Sequence, residues 1–442
     1  MDPKQIVLAT FGSLGDLHPY LAIALELRGR GHRPVVASHG LYRERVEAMG
    51  LEFAPVRPHY DEWSDPAEII RQAMDARKGS EVVLRKMVLP YLRASRDDLL
   101  VAARGADLIV DHVLTFTAPL VAEALCIPRV STSLQPFAMF SRHDPPVAPA
   151  APWLSAFRAG GPVLWRLLWW MGRAATRGWF REVDAMRAEM GLAPSPRHPM
   201  LQGFSSELHL VLFSKELARP QPDWPASSAQ TGFPIHDRGG EGERMPLALE
   251  VFLRQGTPPI VFTLGSSAVY AAGDFYARAA EASRALGRRA VLLVGEDDLN
   301  PVPGVPPVAH APAGTPIVSA AYAPHSELLP RACAVVHQGG VGTTAQAMRA
   351  GRPMLVVPFS HDQPDNAERL RRLGVARVLP RPRVSAAAFA SELSVLLADE
   401  PLARRAQELS RRMRDEPGAA GAADAIERLL SRRERVGRTA AV

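Results

Sequence analysis

Cysteine is nearly absent from the 442-residue chain, which has only Cys126 and Cys333. Both lie in apolar runs, EALCIP and RACAVV, where a thiol acts as a small hydrophobe. A disulfide-stapled domain is thereby excluded and a reducing compartment expected. Long hydrophobic runs are missing as well. No uninterrupted apolar stretch reaches the roughly 20 residues of a membrane-spanning helix. The chain enters a strand-like run at Lys4–Thr10 at once, leaving no room for a signal peptide, so a cytoplasmic protein is predicted. There is no compact basic run with interleaved aromatics. The net charge of +6 and pI near 9.6 therefore reflect arginines spread over helix surfaces and the C-terminal end, and nucleic acid is not expected as a partner. No Gly-Lys-Ser/Thr loop occurs, which disfavours phosphoryl transfer from ATP. No convincing Asp-x-Asp loop occurs either, and Asp297–Asp298 reads as an acidic surface turn. Neither a metal nor another cofactor is predicted.

What is present is ordinary for a globular protein, with 47% hydrophobic and 22% charged residues. The length exceeds what one core usually organises, so two domains are expected. Short apolar runs alternate with helical periodicity. IVLATFG, PVVAS, ADLIVDH and IPRVSTS read as strands, with LHPYLAIALELRG and TAPLVAEAL as helices between them. The rhythm restarts at PPIVFTLGS and continues through RAVLLVG, PIVSAAY, CAVVHQGG and PMLVVPF, with intervening helices. Such alternation predicts parallel sheets covered on both faces. The Pro- and Gly-rich stretch between the two series is expected to be a linker. The division is 1–215 for the first domain, 216–246 for the linker, 247–415 for the second domain, and 416–442 for a C-terminal helix returning to the first.

Residues 145–200 break the rhythm. A Pro-rich loop leads into GPVLWRLLWWMGRAATRGWF, and five of the seven Trp fall between Trp153 and Trp179. Trp165 and Trp169, four residues apart, share one helix face. A buried helix pair, an apolar wall for a hydrophobic acceptor that includes Phe137, and a surface resting weakly on a membrane, with Arg166, Arg173 and Arg177 flanking the tryptophans, are all open readings.

The chemistry-bearing residues cluster at strand ends in the second series. A buried strand ends at His337, a Gly-rich turn follows (Gln338, Gly339, Gly340, Val341, Gly342), and Thr343 and Thr344 open a helix. Backbone amides exposed by the glycines, with the positive end of the helix, suit a diphosphate. The next strand ends at Ser360, His361, Asp362 and Gln363, whose carboxylate and amide suit sugar hydroxyls. Tyr322 ends an earlier strand and Gly265, Ser266 and Ser267 another. All would lie at the carboxyl edge of one parallel sheet, where open α/β sheets bind ligands.

The order YAPHSELLP, VVHQGGVGTTAQAMRAGRPMLVVPFSHDQPDNA and GVA resembles the donor-site signature of the UDP-glycosyltransferase superfamily. GSLGDLHPYLAIALELRGRGH resembles the opening loop and helix of its bacterial branch of glycopeptide, macrolide, sterol and rhamnolipid glycosyltransferases. Only 130–215 matches poorly. The resemblance implies the GT-B fold, two facing doubly wound α/β domains with a cleft between them, and a nucleotide-diphosphate sugar and a hydrophobic small molecule as partners. It implies that Tyr322 stacks on the base and that His337 bonds the diphosphate with groups around Gly12, Ser266, Gly340, Gly342 and Thr343. Asp362 and Gln363 would hold the sugar. Eight residues after His337, where plant members place a ribose-binding Glu, stands Ala345.

Plant members have a catalytic His at the position of Asp16, which makes Asp16 the candidate base; a helix N-cap is the plain structural reading of the same residue. His18 is an alternative base. Asp111 matches the plant Asp that polarises the catalytic His, with His112 beside it. The implied reaction is an inverting displacement of UDP or dTDP from a hexose such as glucose or rhamnose by the hydroxyl of a polyphenol, sterol, macrolide or lipid. A sugar-nucleotide epimerase and a non-catalytic auxiliary protein are the rival readings.

Overall fold

The computed structural model describes residues 2–195, 197–236, 244–295 and 299–440; Asp297–Asp298 falls outside them. Two parallel sheets organise the chain. The first comprises β1 (Gln5–Ala9), β2 (Arg33–Ser38), β3 (Glu52–Pro55), β4 (Leu108–Asp111), β5 (Arg129–Ser133), β6 (Leu208–Val211) and β7 (Ser228–Gln230), in the order β3-β2-β1-β4-β5-β6-β7. The second comprises β8 (Ile260–Thr263), β9 (Ala290–Leu293), β10 (Ile317–Ala320), β11 (Ala334–His337), β12 (Met354–Val356) and β13 (Ala376–Val378), in the order β10-β9-β8-β11-β12-β13. These are the two doubly wound domains of the GT-B arrangement. β7 lies inside the stretch expected as linker, so the first sheet extends to Gln230. Polar turn residues hid a three-residue edge strand too short to carry an apolar pattern.

The strands are continuous apolar runs because helices cover both faces. Ile6 and Leu8 face a core with Leu17, Leu21 and Leu27 of the first helix, Leu14–Gly29, while Val7 and Ala9 face Leu99, Ile109 and Val121 on the other side. Each Val, Leu or Ile side chain so buried contributes about 2 kcal/mol. The last helix, Gly418–Ala440, closes the first of these cores with Ala422, Ile426 and Leu429. Arg30 donates to Asp424 at 2.6 Å and to Glu427 at 2.8 Å, fixing that helix to the first domain.

Each sheet reverses its winding once, between β1 and β4 and between β8 and β11. A crevice opens at the carboxyl ends of the strands at such a switch point. The domains meet crevice to crevice. Ser360 Oγ donates to the Asp75 carbonyl at 2.7 Å, and Ser80 Oγ lies 3.2 Å from His361 Nδ1. Behind them, Arg369 of the second domain ion-pairs with Asp365 at 2.8 Å and with Asp144 of the first.

Candidate active site

The loop after β1 is shaped around one carboxylate. Ser13 caps the first helix, its Oγ accepting the Gly15 amide at 3.3 Å. Asp16, three residues on, reaches back: Oδ2 accepts the Ser13 amide at 2.8 Å and its hydroxyl at 3.1 Å. This reciprocal capping box pins the side chain. Asp16 is thus the third helical residue, and the cap expected at this position belongs to Ser13. Gly12, at φ +135°, makes room for the folded-back carboxylate, since a Cβ there would overlap Asp16 Oδ2. Oδ1 remains for other work and faces His112 Nε2 at 3.6 Å. His112 arrives from the end of β4, the strand beside β1 across the switch point. Its imidazole is buried, which holds its pKa below the ordinary value against the opposing pull of Asp16. Leu114 N donates to Nδ1 at 3.5 Å, which leaves Nε2 to carry the proton toward the carboxylate.

The second domain presents a matching set. The helix Val341–Ala350 has Gly340 at its N-cap and no side-chain cap, so its first amides are open. Gly342 approaches Gly15 so closely that a Cβ would lie 3.5 Å from the Gly15 Cα, which brings the two helix N-termini face to face. His337 is fully buried, and desolvation lowers its pKa to about 3, so the ring is neutral. Gly339 N donates to Nδ1 at 3.1 Å, placing the proton on Nε2, a donor with no partner among the described residues. Thr344 Oγ1 is likewise buried without a partner among the described residues. Gln363 Oε1 accepts the Phe359 amide at 2.8 Å and the Ser360 amide at 3.2 Å, and so holds its loop while its amide nitrogen stays available. Asp362 Oδ2 accepts from Asn366 at 2.7 Å. Burial first, then the negative charge of Asp16 across the cleft, pushes the Asp362 carboxyl up to about 7.

Two cavities occupy the cleft. One, of about 580 Å³, is lined by Tyr322, His325, Ala345 and Gln346 of the second domain and by His18 and Arg45 of the first. The other, of about 290 Å³, is lined by Asp16, His112, Asp362 and Gln363 at one end and by Tyr60, Trp63, Ile70, Met74, Leu84 and Met87 around it. Gly15, Gly265, Ser266, Val341, Gly342 and Thr343 border both, so the cavities meet at the facing helix ends.

This geometry has known counterparts. Residues 6–137 match the glycosyltransferase family 28 N-terminal domain, and residues 303–429 match the erythromycin biosynthesis protein CIII-like C-terminal domain. The O-mycaminosyltylonolide 6-deoxyallosyltransferase of Streptomyces fradiae is 32% identical over 96% of this chain and 97% of its own length. The chain belongs to the UDP-glycosyltransferase superfamily. Sterol 3-beta-glucosyltransferase of Neosartorya fischeri is 28% identical over 96% of the chain, which spans 29% of that protein. Among solved structures, the glycosyltransferase of kitacinnamycin superposes with a TM-score of 0.70 at 25% identity, covering 97% of this chain and 100% of that one. The glycosyltransferase VinC, solved with dTDP, superposes at 0.65 with 19% identity over 97% and 100% of the two chains, a likeness of fold.

In this glycosyltransferase the residues singled out from sequence separate into three groups. Tyr322 lines the larger cavity, Ser266, Gly342 and Thr343 border both, and Asp16, Gly340, Asp362, Gln363 and Phe137 line the smaller. Three expectations are corrected. Asp111 lines neither cavity: Arg129 Nη1 donates to both its oxygens at 3.0 Å, so it is a buried structural carboxylate, and His112, one residue on, faces Asp16 instead. His18 lines the larger cavity, apart from Asp16, and burial lowers its pKa to about 3 with help from Arg45, His236 and His325, which makes it a poor base. Gly12 borders the smaller cavity, which Gly340, Asp362 and Gln363 also line, and its missing Cβ makes room for the Asp16 carboxylate. Trp165 and Trp169 line neither; Trp165 is fully buried and packs on Trp169 at 5.5 Å. The apolar wall comes from residues 60–88, which sequence reasoning passed over. Their apolar residues sit on short 3₁₀, α and π turns rather than on one regular helix, so no single period reveals them.

Proposed function

We propose that this glycosyltransferase moves a hexose or 6-deoxyhexose, from dTDP in preference to UDP, to a hydroxyl of a hydrophobic small molecule, inverting the anomeric centre. The carrying observation is the junction of the two cavities, with Asp16 on the apolar side and an uncapped helix end between them. The nucleotide occupies the larger cavity with its base on Tyr322, and the diphosphate sits at the amides of Val341–Thr343 and at His337 Nε2. The sugar lies at the junction, against Asp362 and Gln363. The acceptor fills the smaller cavity. There Trp63 Nε1 and Gln135 Oε1, buried without partners among the described residues, bond oxygen functions on an otherwise apolar scaffold, which favours an oxygenated macrocycle or polycycle over a plain sterol.

In the reaction Asp16 Oδ1 takes the acceptor proton as the acceptor oxygen bonds to the anomeric carbon. The carbon–oxygen bond to the diphosphate breaks, and the leaving charge is met by helix-end amides and the neutral His337. His112 steadies the Asp16 carboxylate. No step calls for a metal. Ala345 supports dTDP: a methyl group in the ribose region offers no acceptor for a 2′-hydroxyl, and a deoxyribose needs none. The relative from Streptomyces fradiae, named for transfer of a deoxyhexose to a macrolide, supports the same donor class.

The test is a matrix of dTDP- and UDP-sugars against hydrophobic acceptors, read by mass spectrometry with NMR of the product anomeric centre. The expected result is an inverted glycoside, formed at least about tenfold faster from dTDP-sugars, corresponding to 1.4 kcal/mol. Asp16→Asn is expected to lower kcat by about 10² or more with donor affinity kept. A retained configuration rejects single displacement, and unchanged turnover of Asp16→Asn rejects the base. Donor consumption without acceptor favours the epimerase reading.

A further inference from the structure

The helix Gly161–Thr176 and the 3₁₀ segment before it, Pro152–Gly160, do not turn their apolar residues inward. Among the described residues of the helix only Trp165 is buried. Val163, Leu167, Trp170 and Met171 are spaced to share one side, and they are 82%, 51%, 61% and 53% exposed. Trp153 and Phe157 of the preceding segment, ring to ring at 6.1 Å, are also exposed. A contiguous face this apolar marks an interaction surface.

Charge selects the partner. Between Pro145 and Arg181 the chain has five Arg and no acidic residue. Arg158 pairs with Asp365 and Arg177 with Asp184, so the charge at the face comes from Arg166 and Arg173. Arg166 and Arg173 follow Val163 by three and ten positions and so flank the same face. A second copy docked here by a two-fold axis would oppose these arginines to themselves, which works against self-association. An anionic lipid surface satisfies both features, since tryptophans settle at the headgroup level while arginines meet the lipid charge. We propose that this face docks the enzyme on anionic bilayers without crossing them; no described helix is long and apolar enough to span one.

The face also communicates with the smaller cavity. An open surface depression beside it is lined by Met139, Phe140, Trp170, Arg173 and Arg177. Phe140 lines the smaller cavity too, packing on Phe137 at 5.8 Å and on Trp169 at 5.6 Å, and it holds a left-handed backbone at φ 47°. It is the wall between the depression and the cavity. A membrane-dissolved acceptor reaches the cavity past this ring, a route that rests on the acceptor assignment above, whereas the docking itself does not.

Vesicle flotation separates the two. The full chain is mixed with phosphatidylcholine vesicles, with or without 30–40% phosphatidylglycerol (about that range, to give a strongly negative surface). The expected result is binding to the anionic vesicles only, weakened by salt, with a blue shift of tryptophan fluorescence. Leu167→Glu with Trp170→Glu, both at exposed positions, is expected to cut binding at least about tenfold. Turnover of a water-soluble acceptor is expected to stay unchanged. Absence of binding by the wild type, binding unaffected by the double substitution, or a wild-type dimer that the substitution splits each overturns the proposal. If docking holds but turnover of vesicle-dissolved acceptor does not fall in the variant, the Phe140 route is rejected and the docking face stands.

Discussion

Gly12 shows how one missing Cβ positions a reactive group. Its φ of +135° and the space it leaves let Asp16 fold back onto the loop with one oxygen bonded and one free. Gly12→Ala is expected to lower stability by about 1–3 kcal/mol, by strain and by displacing the carboxylate, and to lower kcat more than donor affinity; urea unfolding and steady-state kinetics check the two halves. Asp362 carries a second prediction. Its carboxyl titrates near 7 in the fold against 3.8 ordinarily, so the folded protein holds a proton that the unfolded chain gives up. Its contribution to stability is full below about pH 4 and is lost as pH climbs through about 7. Asp362→Asn, which cannot ionise, is therefore expected to gain thermal stability over the wild type as pH rises from 5 to 8 (about a hundredfold below to tenfold above the shifted pKa in proton activity). Parallel Tm curves for the ligand-free proteins would contradict this.

Elements transmit such local choices. The first helix is started by the Ser13–Asp16 box, and that helix both covers β1 and aims Asp16 at His112. Ser13→Ala removes one capping bond and one anchor of the carboxylate, and about 1 kcal/mol of stability is expected to go. Because the anchor also orients the base, kcat should fall while KM for the donor stays near the wild-type value; a pure cap would leave kcat alone. The helix Val341–Ala350 makes the opposite use of its start. With Gly340 at the cap no described side chain bonds its first amides, the condition under which a helix end holds an anion.

At the scale of the molecule, the cleft is held by a buried ionic knot. The side chains of Arg369 and Asp365 are 2% and 0% exposed, and Asp144 joins them from the first domain. Asp365 also accepts the Val147 amide at 3.0 Å, so the Pro-rich loop is anchored to the second domain. Among the described residues, Arg369→Leu would leave buried Asp365 only Arg158 as an ion partner, at 3.7 Å, and Asp144 only Arg372, at 3.4 Å. A loss of about 3 kcal/mol is expected in denaturant unfolding. A loss below 1 kcal/mol would mean that the domains part at this contact in solution (a surface pair is worth about that much).

Much of this was legible in the chain. The strand end at His337, the Gly-rich turn and the loop around Asp16 are local signals, each written in a few consecutive residues by burial on two faces and by turn chemistry. Tyr322 and Ser360 stand in the loops past strands that end earlier, at Ala320 and Val356. Two parallel sheets followed from the same alternation. Three matters depended on elements distant in sequence packing together. Strand adjacency of β1 and β4 put His112, not Asp111, against Asp16, because successive residues leaving a strand point to opposite sides. Packing gave the apolar cavity to residues 60–88 and turned the tryptophan-rich helix outward, although its composition alone fits a core as well as a surface. Composition and period determine what a segment can form; which neighbours close around it, and which face is left bare, is decided only when the whole chain has folded.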